Sequence, residues 1–268
     1  MLHTIFYGVL VVGAVCLLAL AGFELVHRLV PAQSRQKHND VAGFIYAALG
    51  VIYAVLLALV LIAVWEEYGA ASDTVEREAN AAADIYWLAD QLPEDRGTHV
   101  QELVRSYAEE VVHKEWPLME VGRAPLMTQE EGTPAGWIIM DDIRHNLQGF
   151  EARTKSEEQL YAEGLDQVDA LSDARRMRLV AAEEGVPGIL WSVLVVGGMA
   201  AVGFTYLFGL ESTWAHRLMV LTLAAVIGLV LFTVGAMEYP FSGDARIGPG
   251  AFELILERFD TSKLSNLP

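Results

Sequence analysis

The sequence predicts an all-α membrane protein with four transmembrane helices, in two hairpins that flank an extramembrane helical domain. Four runs without a charged residue, 5–23, 41–65, 186–210 and 218–237, reach or approach the roughly 20 residues needed to cross a bilayer. Charge is segregated: residues 66–186 hold 27 acidic and 11 basic side chains, a net of −16 out of −17 for the whole chain. The composition agrees, because 53% hydrophobic residues is high for a soluble domain while 20% charged residues is too many for a chain wholly in lipid.

The first hairpin, residues 1–65, pairs spans 5–26 and 41–65. No basic residue precedes the first run and no small-residue cleavage site closes it, so it reads as a span and not as a secretory signal. Cys16, the single cysteine, lies in mid-span. The chain therefore has no disulfide framework, cysteine zinc site or redox pair. Charges within spans are functional suspects, but Glu24 and Glu238 both lie at span ends, and Glu24 has the i,i+4 spacing to pair with Arg28. No acidic pathway crosses the membrane, and matching spans lack glycine or proline breaks, which argues against a proton-coupled transporter.

Span two meets no proline before Pro93, and apolar residues continue at Val75, Ala79, Ala82, Ile85, Ala89 and Leu92 with helical periodicity. One helix over 41–92 would be about 78 Å long, far beyond the ~30 Å hydrocarbon core. It should project into the domain formed by residues 66–185. Thr98 with Gln101 has capping-box spacing, and the helix it would start carries Leu103, Tyr107 and Val111 on one face and should end near Trp116 and Pro117. A loop over 120–134 follows, with Thr133 and Pro134 as N-cap and first helical position of a short helix running to about Gln148. Ser156 and Gln159 repeat the capping spacing before Tyr161, Leu165, Val168 and Leu171.

The second hairpin, residues 186–238, pairs spans 186–210 and 217–238. In the tail, 239–268, Phe252, Ile255, Leu256 and Phe259 share one face of a short amphipathic segment, which suits packing on the helical domain better than lying on the membrane. The loops inside the hairpins carry Arg28, Arg35 and Lys37 against Asp40, and Arg217 against Glu211. The positive-inside rule puts both loops in the cytoplasm and the domain with both termini outside it. Arg175, Arg176 and Arg178, just before span three, count the other way.

No metalloprotease spacing, nucleophile elbow, phosphate loop or cysteine pair occurs, so the reading is no enzyme, no cofactor and no metal. Asp141 and His145 are i,i+4 and could share a metal, but that spacing is common on any solvated helix face. The acidic surface repels nucleic acid and concentrates cations. The acidic pairs Glu66 with Glu67, and Asp169 with Asp173, lie near the membrane-side ends of the long helices. In a symmetric ring each would become a ring of carboxylates, which is how cation-attracting vestibules are built. On span two, Gly43, Tyr46, Gly50, Tyr53, Leu57, Val60 and Val64 fall on one stripe. That stripe either packs on a neighbouring span or, with the adjacent stripe Phe44, Ala47, Val51 and Ala58 as the other choice, lines a narrow pore.

These residues also carry a resemblance. The stretches Gly43-Phe44-Ile45-Tyr46, Gly50-Val51-Ile52-Tyr53-Ala54-Val55-Leu56-Leu57-Ala58, Val64-Trp65-Glu66 and Arg77-Glu78-Ala79-Asn80 come first. They are followed by Glu115-Trp116-Pro117, Leu171-Ser172-Asp173-Ala174-Arg175-Arg176-Met177-Arg178-Leu179, Phe204-Thr205-Tyr206-Leu207-Phe208-Gly209 and Pro240-Phe241-Ser242-Gly243. Over nearly the whole chain this resembles the bacterial bestrophin-like integral membrane proteins. The resemblance implies the bacterial cytoplasmic membrane and a pentameric channel whose second span forms the neck and whose long helices form the vestibule. Two features differ: bestrophin necks are built from bulky apolar residues, where this span has glycines and tyrosines, and bestrophin vestibules are cytoplasmic.

The leading expectation is a homo-oligomeric channel for small monovalent ions, cations slightly favoured, with candidate pore-lining residues Gly43, Tyr46, Gly50, Tyr53 and Leu57. The rival is a non-conducting membrane sensor or scaffold whose helical domain binds a partner.

Overall fold

The computed structural model describes residues 2–123, 135–149, 152–243 and 245–265, and all regular structure among them is helical. Its elements in chain order are α1 (Leu2–Leu29), α2 (Ala32–Gln36), α3 (Asn39–Leu88), α4 (Glu94–Glu110), α5 (Trp116–Glu120), α6 (Ala135–Gln148), α7 (Lys155–Glu183), α8 (Gly188–Thr205), α9 (Thr213–Met237) and α10 (Gly250–Ser265). A 3-10 turn, Ala89–Gln91, follows α3, and a π-turn, Val111–Glu115, joins α4 to α5. Four of these helices are long and apolar enough to span a membrane. The chain is an all-α membrane protein with four transmembrane helices in two hairpins around an extramembrane helical domain.

Two compact units result, residues 1–66 with 185–238, and residues 67–184 with 239–268. In the first, α1 packs chiefly along α9, and close approach depends on small residues beneath aromatic rings. Gly8 lies under Phe232 and Gly22 under Tyr206, and Gly197 and Gly198 of α8 receive the Tyr53 ring. A Cβ at Gly197 would stand 2.7 Å from that ring, so only glycine permits this approach. The loops are pinned as well. Asn39 Nδ2 donates to Gly209 O at 2.8 Å while Gly209 N donates to Asn39 Oδ1 at 3.0 Å.

The second unit is built on the far part of α3. Val75, Ala79, Ala82, Ile85 and Ala89 are buried along one face against Val100, Val104 and Tyr107 of α4, Val168 and Leu171 of α7, and Phe252 and Phe259 of α10. The Phe259 ring stacks on Tyr86 at 3.8 Å, so the tail segment is part of this core.

Three helix boundaries differ from the sequence expectation. α4 begins at Glu94, not Thr98, because Pro93 at its N-cap (φ −52°) suits a helix start and needs no N–H. Gln101 instead donates to Tyr86 O. The capping box of α7 is Thr154 with Glu157, two residues earlier than expected, where extended Thr154 lets its hydroxyl accept from Glu157 N while the Glu157 carboxylate accepts from Thr154 N. Pro117 does not stop the helical path. The wide π-turn before it, closed by Trp116 N donating to Val111 O, removes the regular hydrogen-bond ladder that proline would break. The expected cap at Thr133 and Pro134 lies outside the described residues.

Candidate functional site

α3 is one 50-residue helix, about 75 Å long at 1.5 Å per residue. Its apolar part has two faces with different surroundings. The stripe of pore-lining candidates turns inward: Tyr53 is 7% and Leu57 9% exposed, in a core with Leu194, Ala201 and Val202 of α8. Tyr53 OH donates to Leu194 O at 3.1 Å. The Tyr46 ring stacks on Phe204 and meets Phe208 edge-on at the end of α8. Gly43 and Gly50 are half-buried, and a Cβ on Gly50 would meet nothing within 4 Å. Hence Tyr46, Tyr53 and Leu57 hold the hairpins together inside the subunit.

The adjacent stripe is open. Phe44 is 81% and Val51 65% exposed, and Ala47, Ala54 and Ala58 are exposed on the same side. Small residues on such a face let another helix come close. Beside it α3 also exposes Ile45, Ile52, Val55 and Leu59, and α1 exposes Ile5, Phe6, Leu10, Leu17 and Leu18.

The acidic candidates divide. Glu66 and Glu67 are exposed, with no hydrogen-bond or ion-pair partner among the described residues. Asp169 and Asp173 are exposed on α7 but engaged, Asp169 by Arg144 at 2.7 Å and Asp173 by Arg176 at 3.2 Å. Asp173 also borders a groove with Thr74, Arg77, Asn80 and Asp84 of α3. His145 Nδ1 bonds its own helix at Asp141 O, so the Asp141 carboxylate is not its partner. Among the described residues, no cluster of three His, Cys, Asp or Glu side chains is placed to hold a metal ion.

The helical unit also buries a charge network that nothing in the sequence analysis singles out. Arg178 Nε donates to Glu78 Oε2 at 2.6 Å and its Nη2 to Glu78 Oε1 at 3.0 Å and Glu115 Oε2 at 2.8 Å. Arg175 grips Glu115 with both terminal nitrogens, at 2.9 and 2.6 Å. Tyr107 OH donates to Glu78 Oε1. All four charged side chains are at most 5% exposed, so two carboxylates balance two guanidiniums with water excluded. Burial alone would raise the Glu115 carboxyl, but Arg178 and Arg175 outweigh it and hold it below the usual range. Burial, reinforced by Glu78, pushes the Tyr107 phenol well above its ordinary value. The guanidinium of Arg175 also lies over Trp137 at 4.9 Å, and that of Arg178 over Trp116 at 5.7 Å.

Local structure places each member. The π-turn swings Glu115 into the core, as such turns commonly do at special sites. Gly136 of α6 leaves the space beside the Arg175 and Glu115 pair, where a Cβ would stand 2.5–2.7 Å from their atoms. The network joins α3, α4, the π-turn and α7. It also revises the count of basic residues before α8, because Arg175 and Arg178 are buried and paired, leaving Arg176 as the exposed one of the three.

Comparison with known proteins places this arrangement. The Bestrophin-like domain family matches residues 13–252. A crystal structure of a bacterial bestrophin homologue from Klebsiella pneumoniae, carrying a point mutation, superposes with a TM-score of 0.68 over 92% of this chain and 98% of that chain, at 12% identity. The same homologue solved by zinc phasing gives a TM-score of 0.65 over 98% of this chain and 100% of that one, again at 12% identity. A further structure, described as a membrane protein, gives a TM-score of 0.68 at 13% identity over 98% of this chain and 99% of that one. At these identities the likeness is one of fold. No curated protein sequence matches the chain significantly.

Proposed function

The chain belongs to the bestrophin-like family, and from that premise we propose that copies of it assemble, as a pentamer, into a membrane channel for small monovalent ions. The observation that carries this reading is the open stripe of α3. Phe44, Ala47, Val51, Ala54 and Ala58 are uncovered within the subunit, while the opposite face of the same helix is committed to α8. The three alanines of this stripe, Ala47, Ala54 and Ala58, suit close approach to the α3 helices of other copies. Brought around an axis, it forms an apolar neck that conducts when wetted and closes when dry. The pore lining thus moves from the stripe of Tyr53 and Leu57 to its neighbour.

Glu66 and Glu67 lie on α3 where its apolar stretch ends, exposed and without a partner among the described residues. Repeated by symmetry they give a carboxylate ring that raises the local cation concentration. Asp169 and Asp173, tied to Arg144 and Arg176, contribute less. The buried network ties α3, α4 and α7 together within the helical unit.

Arg28, Lys37 and Arg217 in and beside the loops favour a cytoplasmic location for both loops, and burial takes Arg35 from this count as it takes Arg175 and Arg178 from the opposing one. A reporter fused after Pro268 reads this directly: activity on the extracytoplasmic side agrees, and cytoplasmic activity reverses the assignment.

The function itself is tested by reconstituting the protein in planar bilayers under a salt gradient. Discrete currents whose reversal potential favours cations are expected, diminished by Ala58→Trp and unaffected by Leu18→Trp on the exposed face of α1. Silence across voltages and ions, from protein shown to be folded and oligomeric, overturns the channel reading and leaves the scaffold.

A further inference from the structure

Within the membrane unit, a cavity of about 280 Å3 lies at the loop end of the hairpins, between α3, the end of α8 and the start of α9. Tyr46, Phe208, Met219 and Leu223 wall it, together with Thr205 and His216. The aromatic wall is built in depth: Phe204 stacks on the Tyr46 ring and Phe208 meets that ring edge-on at 5.7 Å. Met219 is 58% exposed and stands at the mouth, and Trp214, on the same helix, is 71% exposed. Exposed tryptophan is enriched at the level of the bilayer interface, so the cavity opens towards lipid near that level.

Two polar side chains of this wall lack protein partners. His216 is 3% exposed. Its Nε2 donates to Thr205 O at 2.9 Å, because a carbonyl only accepts, and no described residue bonds its Nδ1. The Tyr46 hydroxyl likewise has no partner among the described residues. Buried polar side-chain atoms nearly always find one. Size and shape narrow the occupant further. An apolar cavity of about 150 Å3 takes up benzene, so this one has room for a ring with substituents, and its aromatic walls favour an aromatic ring in offset or edge contact. A hydroxyl on that ring can donate to the bare imidazole nitrogen and accept from the Tyr46 hydroxyl. A lipid acyl chain would fill the same volume and leave both groups unpaired.

We propose that this cavity binds a phenolic ring, the hydroxylated aromatic ring that lipid-tailed hydroquinones and small membrane-soluble phenols share. The ring lies against Phe208, its hydroxyl is held by His216 Nδ1 and the Tyr46 hydroxyl, and any tail leaves past Met219 into the bilayer. The inference goes beyond the channel reading and does not depend on it.

The test uses a phenol carrying a photoactivated diazirine, cross-linked to the full-length protein in lipid nanodiscs and located by mass spectrometry. Label is expected on the peptides that hold Tyr46, Met219 and Leu223. It should be competed by 2,6-dimethylphenol and by decyl hydroquinone, and roughly tenfold less well by m-xylene, which has the shape of the first without its hydroxyl. That factor, about 1.4 kcal/mol, is within the cost of leaving a buried acceptor unpaired. Tyr46→Phe removes a hydroxyl that bonds nothing in the protein and keeps the ring stack, so the fold is preserved. It should weaken competition by dimethylphenol about fivefold and leave that by m-xylene unchanged. Met219→Trp, which blocks the mouth from an exposed position, should abolish the label. At equal concentration in the bilayer, stronger competition by decyl hydroquinone assigns the lipid-tailed source, and stronger competition by dimethylphenol the free phenol; either supports the site. Label elsewhere in the chain, equal competition by m-xylene and dimethylphenol, or a preference for phenol that survives Tyr46→Phe undiminished overturns the proposal and leaves a cavity filled by lipid chains.

Discussion

Replacing Arg178 by methionine tests the buried network, because the change removes one guanidinium of similar volume and leaves both carboxylates in place. Arg178 supplies three charge-assisted hydrogen bonds, two to Glu78 and one to Glu115. Glu115 keeps its two-pronged contact with Arg175. Glu78 keeps the Tyr107 hydroxyl, one neutral donor, and is 0% exposed. Removing one partner of a buried ion pair costs roughly 3–5 kcal/mol. For a chain of this size that corresponds to a fall in melting temperature on the order of 10 °C. Adding Glu78→Gln to Arg178→Met should recover about 2 kcal/mol, because the remaining charges, Glu115 and Arg175, again balance. Thermal unfolding of the four proteins of this double-mutant cycle, in one detergent and at one scan rate, measures both numbers. Arg178→Met melting within a few degrees of the parent, or strictly additive losses in the double variant, would refute the claim that the network is a coupled and charge-balanced unit.

Gly197→Ala should destabilise the membrane unit by about 1–3 kcal/mol through overpacking against Tyr53, and Tyr53→Leu in the same chain should restore part of the loss in melting temperature. Because Glu115 is held below its ordinary value of 4.5, its contribution to stability is present above that value and is lost as the pH falls beneath it. Tyr107, raised above 10, acts at the other end: stability is lost as the pH climbs past that value. Thermal melts across pH should show both limbs, and a melting temperature that is flat below 4.5 would contradict the Glu115 part. Glu66→Gln with Glu67→Gln should reduce cation preference in a conducting reconstituted protein; an unchanged reversal potential removes the carboxylate ring from the account.

The length of α3 was legible because nothing between Val41 and Leu92 interrupts a helix and because Val75, Ala79, Ala82, Ile85 and Ala89 continue one apolar face. The buried charges were not, since a charged residue in an acidic segment is most often solvated. A signal was present all the same. Glu78 falls in the stripe Ala71, Val75, Ala82 and Ile85, Glu115 one turn after Val111, and Arg175 and Arg178 one and two turns after Leu171, so each charge sits where the periodicity calls for an apolar side chain. The role of the Tyr53 stripe was undecidable from sequence, because glycines and aromatic rings on one helix face suit both a tight helix contact and a pore. In the structure the ring of Tyr53 lies against Gly197 and Gly198, and the proposed pore therefore uses the neighbouring stripe. Capping boxes misled for a simpler reason: Thr98 and Ser156 have the spacing, but Pro93 and Thr154 stand earlier in the chain with backbone geometry suited to the cap.

The central claim is that the open stripe of α3 lines the ion path, and single cysteines tested with a small charged thiol reagent during current recording address it most directly. In a Cys16→Ala background, modification at Val51→Cys and Ala58→Cys should change the current, whereas Tyr53→Cys and Leu57→Cys should be unreactive. Reaction and block at Tyr53 and Leu57, with Val51 and Ala58 silent, would contradict the account and return the pore to the stripe that here packs on α8.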